Sequence, residues 1–127
     1  LSYTVELAPE FGDGDIISFN FGETTGWAGV FAGLYNDAGT VKATSQNSGT
    51  PTAFIDSFTA PTDGKYVFTF TAAPKDAAFE ITASINRTQI ATTAASSMDD
   101  LYWNIYYPTT LSDSALGYIT DFSVVSE

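Results

Sequence analysis

The sequence predicts an all-β fold, a jelly-roll β-sandwich of two antiparallel sheets, and three observations carry that expectation. The stretch Phe58–Ala72 contains Pro61-Thr62-Asp63-Gly64, where Pro presets φ and Gly accepts a positive φ, so the backbone turns there. After that turn Tyr66, Phe68 and Phe70 alternate with Val67, Thr69 and Thr71, which gives one apolar face and one hydroxyl-rich face. Short segments of the same kind recur along the chain, separated by turn residues, as in sandwiches and jelly rolls.

The elements follow in order. Leu1, Tyr3, Val5 and Leu7 alternate with Ser2, Thr4 and Glu6, a first strand with one face inward. Phe11-Gly-Asp-Gly-Asp15 is a turn, and Ile16–Phe21 then places Ile17, Phe19 and Phe21 on one face. Gly26–Tyr35 reads two ways. Trp27, Val30, Phe31, Leu34 and Tyr35 sit at helical spacing, but three glycines would cost a helix about 1 kcal/mol each, so a strand is expected. In that strand Trp27, Gly29, Phe31, Gly33 and Tyr35 share one face, and Ala28, Val30, Ala32 and Leu34 the other. Asn36–Gly39 turns into a polar strand near Thr40–Thr44, and Ser45–Thr50 is a loop. Ala53–Thr59 and Tyr66–Ala72 are expected to form a hairpin. Phe79–Ile85 and Gln89–Thr93 flank a tight turn at Asn86-Arg87, and Leu101–Tyr107 and Tyr118–Val125 close the chain. No internal repeat or linker interrupts the chain, so residues 1–127 form one domain.

Composition narrows the function classes. The chain has 127 residues, 44% of them hydrophobic, with ten Phe, seven Tyr and two Trp, enough to bury a core and too apolar for disorder. Fifteen acids against four bases leave a net charge of −11. The bases Lys42, Lys65, Lys75 and Arg87 are scattered singly, so nucleic acid and anionic membranes are not expected partners. No apolar run approaches the length of a membrane span, so no membrane insertion is expected. With no Cys and no His, disulfides, thiolate nucleophiles, the usual zinc sites and the usual triad base are missing. The chain opens on Leu1 rather than Met, as a processed form or an excised domain would. The acidic, Lys-poor, Thr/Ser/Ala/Gly-rich composition fits a secreted or surface-displayed protein. Asn86-Arg87-Thr88 is a glycosylation sequon that agrees weakly with that location.

Two segments carry a resemblance. Asp63-Gly-Lys-Tyr66, leading into an aromatic-rich strand, and Tyr118-Ile-Thr-Asp-Phe-Ser-Val124 near the end resemble the carbohydrate-binding, galactose-binding-like jelly rolls over roughly the second half of the chain. Phe58–Tyr66 also resembles the corresponding strand pair of complement C1q and tumour-necrosis-factor-like jelly rolls. These likenesses imply a jelly-roll fold and a carbohydrate ligand, and they transfer no ligand residues.

The candidate sites come from the residues themselves. If Leu101, Trp103, Ile105 and Tyr107 face the core, then Tyr102, Asn104 and Tyr106 face outward together. Aromatic faces stack on pyranose rings and an amide both donates and accepts, so these three are the expected sugar contacts; a covering sheet or subunit would explain them equally. Trp27, Phe31 and Tyr35 form a second aromatic group, expected as core, with Trp27 and Tyr35 as secondary ligand candidates. Glu10, Asp13 and Asp15 around Gly12 and Gly14 could hold a structural calcium, as could Asp99-Asp100, although solvated turn carboxylates account for them as well. No other cofactor is expected. Asp56 and Asp121 sit within strand-like segments, and burial of either would raise its pKa. Every other acid is assigned to a turn or wet strand face, so no enzyme is expected. Finally, Leu1, Tyr3, Val5 and Leu7 precede Ala8-Pro9 and Gly12–Gly14, a hinge from which the first strand could enter a neighbouring subunit. The expected function is therefore non-enzymatic carbohydrate recognition or adhesion, and the alternative is a self-associating subunit of an extracellular filament or virion surface.

Overall fold

The computed structural model describes residues 1–23, 29–46, 50–96, 101–107 and 116–125, with the side chains of Tyr106 and Tyr107 outside that set. The described residues form nine strands and no helix: β1 (Ser2–Leu7), β2 (Ile16–Glu23), β3 (Gly29–Asp37), β4 (Thr40–Thr44), β5 (Lys65–Lys75), β6 (Ala78–Ile85), β7 (Thr88–Ala95), β8 (Leu101–Tyr107) and β9 (Gly117–Ser123). They build two sheets, ordered β7-β6-β5-β1-β9 and β4-β3-β2-β8. Every pairing is antiparallel. The end of the chain folds back on its start, β9 beside β1 and β8 beside β2, which is jelly-roll wrapping. Between them, β2-β3-β4 and β5-β6-β7 are simple meanders.

The period-two pattern explains which side chains meet. Tyr3 and Val5 of β1, Phe68 and Phe70 of β5, and Ile81, Ala83 and Ile85 of β6 point from the first sheet into the core. Phe19 and Phe21 of β2 and Val30, Ala32 and Leu34 of β3 meet them from the second. Tyr3 is the hub. Its ring stacks on Phe68 at 5.5 Å and meets Phe19 and Trp103 edge-on at 5.1 and 5.3 Å. Trp103 Nε1 donates to the Tyr3 hydroxyl at 3.0 Å, a polar link across the sandwich. The strand expected over Gly26–Tyr35 appears as β3 from Gly29 onward, with Val30, Ala32 and Leu34 on the buried face as predicted.

Turn chemistry matches backbone geometry at two hairpins. Ala38-Gly39 and Asn86-Arg87 both have positive φ at each central residue, the type I′ geometry that suits strand twist. Gly39 takes this without cost, whereas Arg87 at φ 70° gives up about 1 kcal/mol relative to glycine.

One expected element does not form. Ala53–Thr59 is not a strand and makes no hairpin with β5, whose neighbours are β1 and β6. The segment runs instead beside β4: Ile55 N donates to Ala43 O, and Thr44 Oγ1 to Ala53 O. Pro61 and Gly64 do bend the chain, but they carry it from one sheet to the other. β5 also continues past Ala72 to Lys75 because Pro74 sits where β5 nears its end and β6 still pairs with it.

The hub yields two predictions. Tyr3→Phe leaves the Trp103 N–H without its partner and should lower stability by about 1–2 kcal/mol, and Tyr3→Ala by about 4 kcal/mol, read by urea denaturation. Burial raises the Tyr3 pKa well above its ordinary value, outweighing the opposing Trp103 hydrogen bond; burial and the Asp63 charge raise Tyr66 as well. Unfolded tyrosines ionise near pH 10 while these stay neutral, so their contribution is complete below about pH 10 and lost as pH rises beyond it. Stability should therefore fall above that pH, and less steeply in Tyr3→Phe.

Candidate functional site

β8 is the edge strand of the second sheet, and its register with β2 decides which residues share the outer face. Asn104 pairs with Asn20 and Tyr102 with Gly22, whereas Trp103 pairs with the core residue Phe21. Tyr102 and Asn104 thus share the outer face, Tyr102 half-buried and Asn104 exposed. The expected alternation stops at Ile105. Phe19 pairs with Ile105 but Ser18 with Tyr107, so Tyr106 is the extra residue of a bulge. The side chains of Tyr106 and Tyr107 lie outside the described residues. Ile105 was expected in the core, yet it is half-exposed, on the edge strand of the second sheet just before the bulge.

Beside Asn104 lies Asn20, which is only 2% exposed. Its Nδ2 donates to Val30 O at 3.4 Å, and its Oδ1 is a buried acceptor with no hydrogen-bond partner among the described residues. An unpaired buried amide oxygen costs about 1–3 kcal/mol. The glycines of β3 make room for it. A Cβ on Gly29 would stand 3.2 Å from Asn20 Nδ2 and 2.8 Å from Phe21 O, and one on Gly33 would stand 2.8 Å from Ile17 O. These glycines therefore serve close backbone packing between β2 and β3.

The second aromatic group is placed differently from the expected core. Tyr35 lies on the outer face, where Phe54 stacks on it at 5.7 Å and the Lys42 ammonium sits 4.9 Å from the Phe54 ring centroid. The 50–58 segment thus covers the β3–β4 part of this face. Trp27 and the Asp99-Asp100 pair lie outside the described residues.

The acidic turn residues are spent on backbone. Asp15 Oδ2 accepts from Gly12 N at 2.9 Å and Asp13 Oδ1 from Ala38 N at 2.8 Å, while Glu10 is exposed. Among the described residues no three acidic, His or Cys side chains gather as a metal site. Asp56 and Asp121 are both exposed, so the burial considered for them does not occur. Leu1, Tyr3, Val5 and Leu7 face their own core, with β1 bonded on both sides, to β5 and β9. In the sequon, Asn86 Oδ1 accepts from Val67 N at 2.8 Å and Nδ2 donates to Lys65 O at 3.3 Å, so that amide clasps β5.

Sequence reasoning did not foresee a trough on the outer face of the first sheet. Thr4 pairs with Thr120 on one side and Val67 on the other, and Ser2 pairs with Thr69, which pairs with Ser84. These rows floor two adjoining hollows of about 400 and 500 Å³ that share Val67 and Asn86. The alternating hydroxyl residues gave the signal, as a wet strand face. The bulge that puts Asp121 at one end, with φ 55°, left no sequence signature.

Comparison with family models, with curated proteins and with solved structures found no match to this chain.

Gly33→Ala should force β2 and β3 apart and cost about 1–3 kcal/mol, seen as a lower urea midpoint. A neutral effect would show that the close packing is dispensable.

Proposed function

We propose that this domain is a non-enzymatic carbohydrate-recognition or adhesion module, and that the outer face of β2 and β8 meets the ligand. One observation carries the proposal: exposed Asn104 and half-buried Tyr102 share the outer face of β8 at the edge of the second sheet. The Asn104 amide can donate to and accept from sugar hydroxyls, and the Tyr102 ring offers an apolar face. The acidic composition is consistent with a secreted or surface-displayed location. Tyr102→Ala with Asn104→Ala should reduce retention on a glycan array at least about tenfold while leaving the melting temperature nearly unchanged. Full retention by an intact double variant would remove this face from consideration.

A separate observation favours a second role, self-association as a structural subunit. β9 is an open sheet edge, and Ile119, Phe122, Val124 and Val125 on or beside it are 37%, 51%, 69% and 75% exposed. Exposed apolar edge strands pair with other chains. Between Gly117 and Val125 the only charge is Asp121, so this is a stretch where a copy carrying −11 meets little repulsion. Since β1 already fills its own sheet, association would proceed through β9 and not through an exchanged first strand. Sedimentation should then show oligomers that Ile119→Lys with Val124→Lys converts to monomers. Monomers in both proteins would sink this role.

A further inference from the structure

We infer that the trough across the outer face of the first sheet is a second binding site, one that takes a short linear glycan carrying a carboxylate on one sugar. The inference rests on the carbohydrate reading above and adds a site and a ligand class to it. The trough crosses β9, β1, β5 and β6, three interstrand spacings or about 14 Å, the scale of a trisaccharide.

Its two ends differ chemically. The hollow toward β9 is lined by Glu6, Asp63 and Asp121 together with the hydroxyls of Thr4, Thr59 and Thr120. Carboxylates and hydroxyls there can accept from neutral sugar hydroxyls, and would repel an acidic sugar. Among the described residues the hollow toward β6 is lined by Thr69, Ser84 and Arg87 and by no carboxylate. Val67, exposed where the hollows join, offers an aliphatic surface to a sugar's C–H face.

Lys42 pairs with Asp37 and Lys75 with Glu80. Lys65 and Arg87 make no ion pair among the described residues; Lys65 lines the hollow it shares with Glu6, Asp63 and Asp121, and Arg87 lines the other. Guanidinium binds carboxylate through paired N–H donors, so the carboxylate-bearing sugar belongs at the Arg87 end.

The backbone gives an independent reason. Asn-Gly is the favoured pair for a two-residue type I′ turn, yet the turn here is Asn86-Arg87 with φ 49° and 70°. Asp121 likewise holds φ 55° in the β9 bulge, a position suited to glycine. A charged side chain thus stands at each end of the trough where glycine would relax the backbone. Departure from local preference at a surface position is expected where a side chain has a task beyond folding.

The test is amide chemical-shift mapping of the full chain titrated with 3′-sialyllactose and, separately, with lactose. Saturable shifts at Thr4, Val67, Thr69 and Ser84, larger with the sialylated sugar, are expected. Arg87→Gly should raise the melting temperature by about 4 °C while weakening 3′-sialyllactose about tenfold, to the level of lactose. A purely structural Arg87 would not separate those two readouts. Asp121→Gly should likewise stabilise the fold, while weakening both sugars. Shifts confined to Asn20 and residues 102–105 would overturn the trough and leave the carbohydrate reading standing. No saturable shift with either sugar would overturn the trough, and a blank glycan array beside it would overturn both. Unchanged affinity in a stabilised Arg87→Gly variant would overturn the acidic-sugar assignment.

Discussion

Tyr3 holds this sandwich together because its ring and hydroxyl tie the first sheet to Phe19 and Trp103 of the second. It projects from β1, the strand joining the β5-β6-β7 meander to β9, and its ring lies among Phe68 and Phe70 of its own sheet and Phe19 and Trp103 of the other. An apolar ring of the same size would fill the space. The hydroxyl adds direction, because Trp103 Nε1 must find an acceptor when buried and Tyr3 provides it. That bond fixes β8 against β1, and so sets which side of β8 turns outward. The position of Tyr102 and Asn104 thus follows from a contact on the opposite side of their own strand.

The same hub explains the bulge in β9. Between Thr120 and Ser123 the strand carries one residue more than β1 opposite it. Asp121 takes the left-handed conformation, and Phe122 turns to stack on Tyr3 at 5.7 Å and to meet Trp103 edge-on at 5.4 Å. The aromatic ring is drawn toward the cluster and the carboxylate is directed to the trough. One irregularity thereby serves the core and the surface together.

Alternation made much of this legible beforehand. Tyr3 and Val5, Phe68 and Phe70, and Ile81, Ala83 and Ile85 all lie on the buried faces that their spacing implies. The β3 segment was read as strand because glycines weaken a helix, and it is one. What failed was long-range or irregular. Ala53–Thr59 has strand-like composition, but no local rule reveals that β5 prefers β1, about sixty residues away. The bulges at Tyr106 and Asp121 shift the register by one residue, and such shifts come from packing rather than local propensity. Ser18 and Asn20 lie on the face opposite Ile17, Phe19 and Phe21, yet both are buried. Nothing in their neighbours announces that this face is covered.

The pairing of first and last strands has a mechanical meaning. Ser2 lies directly across from Ser123, so the two ends of the fold emerge side by side from adjacent antiparallel strands. Tension applied between them would run along the interstrand hydrogen bonds and load those bonds one at a time, as in opening a zip. Resistance would then come from the Tyr3–Trp103–Phe122 cluster just inside that edge, which must be pried open before the strands can part. A domain of this shape bears load better when pulled between one end and a sheet face than when strung between its two ends.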